Sequence, residues 1–167
     1  MSAIEVFFSY SHKDDTLREE LEKHLKVLQR QGVIKAWNDR RISAGSEWEK
    51  QIQLNLQRAQ IILLLVSADF IASDYCLNIE VTQAMKRHRT GNSIVVPVIL
   101  RPCDWVSMPF GKLQAVPKDA RPVTSWENQD EAFADIAATI RKIALEITAT
   151  DPEAINRTKR RFRFAHT

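Results

Sequence analysis

Glycine is scarce in this 167-residue chain: Gly32, Gly45, Gly91 and Gly111 are the only four. None falls in a GxGxxG or GxxxxGK arrangement, which excludes the usual phosphate-cradling loops of P-loop and dinucleotide-fold proteins. Cysteine is scarcer still. Cys76 and Cys103 form no CxxC pair, and two cysteines build no disulfide framework, so a reducing, cytoplasmic setting is expected. The four histidines, His12, His24, His88 and His166, show no HExxH or paired ligand spacing, so no metal site is expected. Long apolar runs are missing too. The longest, Ile61–Val66 and residues 94–100 with Pro97 inside, fall far short of the ~20 residues a membrane helix needs. Met1-Ser2-Ala3-Ile4-Glu5-Val6 lacks the basic region and apolar stretch of a secretory signal.

A net charge of +3 suggests a polyanion partner until it is divided by position. Residues 151–167 contain five of the 24 basic residues and two of the 21 acidic ones, leaving 19 of each in residues 1–150. The body is charge-neutral, which argues against nucleic acid there, and the excess belongs to the tail. With 44% hydrophobic residues the chain has material for one real core.

Short β-branched runs alternate with helical stretches. Ile4-Glu5-Val6-Phe7-Phe8-Ser9 reads as a buried strand. Leu17, Leu21, Leu25 and Leu28 then mark a helix that Gly32 ends. A second strand over 33–38, a helix carrying Trp48, Ile52, Leu56 and Ala59, and a strand at Ile61–Val66 follow. A helix over 77–88, a fourth strand over 93–100 and a short fifth at Val123-Thr124 come next. A final helix carries Phe133, Ile136, Ile140, Ile143, Ala144 and Ile147. Pro97 donates no ladder hydrogen bond and predicts an edge or strand-end position. The alternation implies an α/β fold: an open, mostly parallel five-stranded sheet with helices on both faces over residues 1–147. Residues 148–167 read as a linker and basic tail, or as the start of a further domain.

In such folds ligands bind beyond the carboxyl ends of the strands. Three polar loops qualify, at 9–15, 39–47 and 67–75, and Glu80 lies early in the helix that follows the third. No Ser/His/Asp or Cys/His arrangement is legible from spacing, so position gives a site and not a reaction.

Four boxes carry a resemblance: Val6-Phe7-Phe8-Ser9-Tyr10; Asp39-Arg40-Arg41-Ile42-Ser43-Ala44-Gly45-Ser46-Glu47-Trp48; Ile61–Val66 with Ser67, Asp69-Phe70-Ile71-Ala72-Ser73-Asp74-Tyr75-Cys76 and Glu80; and Pro97-Val98-Ile99-Leu100-Arg101-Pro102-Cys103-Asp104-Trp105. Together, in this order over residues 3–147, they resemble the Toll/interleukin-1 receptor (TIR) domain, a flavodoxin-like fold, and in particular its bacterial NAD-cleaving members. The resemblance implies cleavage of the nicotinamide–ribose bond of NAD to nicotinamide and ADP-ribose or a cyclic isomer, by a signalling or defence effector. NAD is the substrate, no cofactor is implied, and self-association with other TIR domains is. It makes Glu80 the catalytic residue, because a carboxylate stabilises the oxocarbenium-like charge that a departing nicotinamide leaves on ribose. It places Tyr10, Ser11, Asp39, Gly45, Trp48, Ser67, Tyr75 and Cys76 around the substrate. Active members often carry arginine where this chain has Ser11. Several have an aromatic residue four before the glutamate, where this chain has Cys76, with Tyr75 five before.

Plainer readings stand beside these. Glu80 is equally describable as a solvated acid at a helix start, Trp48 and Tyr10 as core residues, Asp39 as a turn former. Cys76 and Cys103 fit small buried hydrophobes. A non-catalytic TIR adaptor is the principal alternative in function. A phosphate-receiving domain of similar architecture expects aspartate where Ser67 ends the third strand.

Overall fold

A computed structural model describes residues 3–37, 48–147, 155, 157 and 158. Four parallel strands, β1 (Ile4–Ser9), β2 (Ile34–Trp37), β3 (Ile61–Val66) and β4 (Ile94–Ile99), form one sheet in the order β2-β1-β3-β4. Helix α1 (Asp15–Arg30) links β1 to β2, and α2 (Trp48–Arg58) precedes β3. The β3–β4 connection holds α3 (Ala68–Ala72), a π-helical turn (Cys76–Val81) and α4 (Thr82–Arg89). Helix α5 (Gln129–Ile147) closes the domain. From β1 the chain steps to β2 on one side and then crosses back to β3 on the other. This reversal puts the topological switch point between the carboxyl ends of β1 and β3.

Period-two alternation divides the core into two layers. Val6, Phe8, Leu63 and Leu65 face one side, where Leu21, Leu25 and Leu28 of α1 and Phe133, Ile136 and Ile140 of α5 cover them. Phe7, Ile62, Leu64 and Val66 face the other, under Ile52 and Leu56 of α2, Phe70 of α3 and Val81, Ala84 and Met85 near α4. All six β3 residues are buried, as a strand covered on both faces requires. Gly32 terminates α1 as expected. It has φ +72°, its N–H donates to Gln29 O (3.1 Å), and Val33 N–H reaches Leu28 O (2.9 Å), the paired bonds of a Schellman stop.

The expected five-stranded sheet is corrected to four. Val123–Ser125 is a 3₁₀ turn, with Val123 buried and Thr124 N–H donating to Leu100 O at 3.1 Å. The reason lies on the outer edge of β4, which is already occupied. Val95 N–H donates to His88 Nδ1 (3.1 Å), and Pro97 has no N–H to offer. Ile99 N–H donates to Val116 O (2.8 Å), while Val116 N–H donates to Pro97 O (2.9 Å). A ring nitrogen, a proline and a single bridging residue blunt the edge in place of a strand. Pro97 thus sits on an edge strand, as its missing donor predicts.

Trp105, Phe110 and Leu113, in the segment after β4, pack into the second core layer. Their loop is tight at Gly111, where an added Cβ would lie 1.9 Å from the Val106 carbonyl oxygen. Backbone must move to relieve that overlap, so Gly111→Ala is expected to destabilise by about 2–3 kcal/mol, read as a lowered thermal midpoint. An unchanged midpoint would show that the loop yields freely. In the tail, Ile155 packs against the first core layer and Thr158 Oγ1 donates to Glu146 at 3.1 Å. Among the described residues, no helix is long and apolar enough to cross a membrane.

Candidate functional site

Three strand ends meet at the switch point, and a single ion network ties them together. After β1, Ser11 caps a 3₁₀ turn (His12–Asp14), its Oγ accepting from Lys13 N–H at 3.3 Å. The turn delivers Asp14 to the interior, 2% exposed. After β3, Ser67 caps α3 by accepting from Phe70 N–H (3.1 Å) and donates its hydroxyl to Asp14 Oδ2 (2.5 Å). After β4, Arg101 donates from Nε to Asp14 Oδ1 (2.9 Å) and from Nη2 to Asp69 Oδ2 (2.5 Å). These contacts, the Asp69 hydrogen bond foremost, make the Arg101 guanidinium hold its proton more tightly than usual despite partial burial.

Ser9 lies two residues after Phe7 in β1 and therefore faces the α4 side of the sheet. Its Oγ donates to Glu80 Oε1 at 2.6 Å. Glu80 is 0% exposed and sits in the π turn rather than in the first turn of an ordinary helix. The solvated helix-start description therefore does not apply to it.

Beside this pair opens a cleft of about 510 Å³, lined by Ser11, His12, Lys13, Asp69, Ala72, Ser73, Tyr75 and Cys76. Of the residues expected around a substrate, Ser11, Tyr75 and Cys76 line it. Glu80, Tyr10 and Ser67 are fully buried and are not part of its wall. Tyr10 packs in the α1 layer, its hydroxyl donating to Asp15 at 3.2 Å and its ring 5.5 Å from the Arg18 guanidinium. Asp39 and Gly45 lie outside the described residues. Trp48 opens α2, and its side chain lies outside them as well.

Neither cysteine has the surroundings of an activated thiol. Cys76 is buried, its Sγ 3.6 Å from the Tyr10 carbonyl oxygen that accepts from it. Burial pushes the Cys103 thiol up, with Arg101 only partly opposing. The thiolate is the reactive form, so alkylation of Cys103 by iodoacetamide at pH 7.5 is expected to run slower in the folded than in the unfolded protein. Equal rates, followed by mass, would overturn this. Among the described residues, no group of three or more His, Cys, Asp or Glu is arranged to hold a metal ion.

Sequence reasoning assigned no role to Asp14, Asp69 or Arg101, although Asp14 and Asp69 fall in the loops it selected and Arg101 lies just after the fourth strand. The available signal was an arginine directly after a buried strand, at the sheet end where two acidic loops converge.

The chain matches the TIR domain family (TIR_2) over residues 6–138. It is also similar to the uncharacterized protein y4lF of Sinorhizobium fredii (strain NBRC 101917 / NGR234), with 56% identity over 145 residues. That match covers 87% of this chain and 45% of the relative, so the chain spans less than half the length of the curated relative it matches. With four parallel strands, a β1/β3 switch point and a family match over most of its length, the chain belongs to the TIR domain family.

Proposed function

We propose that this TIR domain cleaves NAD at the nicotinamide–ribose bond, with Glu80 as the catalytic carboxylate. The observation that carries the reading is Glu80 itself. A carboxylate without exposed surface is costly unless a role and a partner retain it. This one is held by Ser9 at 2.6 Å, at the switch point of the sheet, on the one π turn among the described helices. Such turns are rare and concentrate at functional sites.

The chemistry follows from the leaving group. The C1′–N bond breaks with its electron pair departing on nicotinamide, and positive charge develops on ribose. Glu80 stabilises that charge, while Ser9 fixes the carboxylate by donating to Oε1. Water then adds at C1′ and releases a proton, giving ADP-ribose, or an atom of the nucleotide itself adds to give a cyclic isomer. Tyr75, on the cleft wall, is the aromatic residue available to nicotinamide. His12 and Lys13 bring donors to the same wall for the anionic pyrophosphate.

A second reading, a non-catalytic interaction module, is favoured by one observation: Glu80 is closed off from the cleft. In the catalytic reading this closure belongs to the single chain, and self-association opens the carboxylate to substrate. The two readings part in one experiment. Clustered protein is incubated with NAD and the products are resolved by mass. Nicotinamide release that rises with clustering supports the enzyme. Intact NAD, together with binding to a partner TIR domain, supports the module and sinks the catalytic proposal.

A further inference from the structure

The helix after β3 changes phase partway along. It starts as an ordinary α-helix: Ser73 Oγ accepts from Cys76 N–H (3.2 Å), and Leu77 N–H donates to Ser73 O (3.0 Å), an i to i+4 bond. The π turn at Cys76–Val81 follows, and Thr82 Oγ1 donates to Leu77 O five residues back, at 3.3 Å. Burial records the same event. At the start of the turn the inward residue is Cys76; from its end onward the inward residues are Glu80, Val81, Ala84, Met85 and His88. A continuous α-helix places 79, 80, 83, 84 and 87 on the face of residue 76. The observed set is instead in phase with residue 77, so the buried face slips by one residue across the turn.

Resting on the NAD-cleaving reading for its chemical meaning, the geometry points to a register device. The π turn absorbs one surplus residue, so that Tyr75 and Glu80, five residues apart, take the relation that i and i+4 have in an α-helix. An i to i+5 turn contains one residue more than an α turn, and this is the size of the slip. Tyr75 is then the substrate-positioning residue one turn before the carboxylate, and Cys76 serves packing. The surplus is spent on the outer surface, where Asn78 is exposed.

Deleting Asn78 tests the device without reference to activity. The expected product is a regular α-helix that keeps Val81, Ala84 and Met85 in the core, with a thermal midpoint within about 3 °C of the parent. The control is deletion of Ala138, exposed in α5. There no turn absorbs the change, and Ile140, Ile143 and Ile147 rotate by about 100° off the core, with loss of cooperative unfolding. Loss of cooperative unfolding in both deletions would overturn the register proposal.

In clustered protein, the Asn78 deletion and Cys76→Ser are expected to keep nicotinamide release within about threefold. Tyr75→Ala raises KM for NAD about tenfold, the upper range for a lost ring contact. A normal KM in Tyr75→Ala with a raised one in Cys76→Ser would reverse the assignment. If the parent protein releases no nicotinamide, the catalytic reading fails, and the melting comparison still decides the register.

Discussion

Replacing Glu80 with glutamine is expected to cut nicotinamide release by clustered protein at least about a hundredfold while leaving the fold intact. The substitution separates two jobs. Glu80 Oε1 accepts a 2.6 Å hydrogen bond from Ser9 in a site with no solvent contact. Glutamine keeps an acceptor oxygen and nearly the same volume, so the structural job survives. What disappears is the negative charge that, in the proposed mechanism, faces the ribose as nicotinamide departs. Removing one preorganised electrostatic partner of a transition state costs about 10²–10³ in turnover. Alanine is the poorer probe. It removes the acceptor as well, leaving the Ser9 hydroxyl buried without its partner at about 1–3 kcal/mol, together with a void. The measurement is therefore paired: NAD turnover beside thermal midpoint for Glu80→Gln. A folded Glu80→Gln protein that cleaves NAD at the parent rate would remove Glu80 from the chemistry. A poorly folded one would instead identify the charge as structural, and Ser9→Ala would then be expected to fail in the same way.

The regions that were legible in the sequence are those where one local pattern decides the outcome. The leucine stripe of α1, the continuous apolar run of β3 and the isoleucine stripe of α5 each bury a face that periodicity alone identifies. Pro97 announced an edge because a missing donor is a local property. The fifth strand was misjudged because Val123 and Thr124 have strand propensity, while the edge they would join is taken by His88, Pro97 and Val116. Competition for a strand edge is a tertiary fact. The π turn was hidden for a related reason: residues 77–88 present one clean stripe, and its slip against Cys76 shows only when both sides are placed in one structure. Position alone marked Glu80 as a candidate, but its hydrogen-bond partner, Ser9, lies 71 residues away in the chain.

Arg101 shows the same limit in energetic form and leads to a large expected effect on stability. It bridges Asp14 and Asp69, which lie 87 and 32 residues away in sequence, and so pins the exit of β4 to the loops after β1 and β3. The two carboxylates are unequal partners. Asp69 is partly exposed and can exchange Arg101 for water, whereas the Asp14 side chain is 1% exposed. Arg101→Leu therefore leaves the buried Asp14 carboxylate with the Ser67 hydroxyl as its remaining side-chain partner among the described residues. Stranding one member of such a pair costs several kcal/mol when both are deep. Arg101 keeps 34% of its side-chain surface exposed, so water replaces part of what is lost and about 2–3 kcal/mol is expected. For a domain of this size that corresponds to a midpoint lowered by about 5–10 °C. Because the loss arises from the abandoned charge, Asp14→Asn on the Arg101→Leu background is expected to recover part of it. A double-mutant cycle measures that coupling. Additive losses with no recovery would show that Arg101 acts by packing alone. A recovered midpoint would establish that one interior charge pair holds the three loop-bearing strand ends in place beside Glu80.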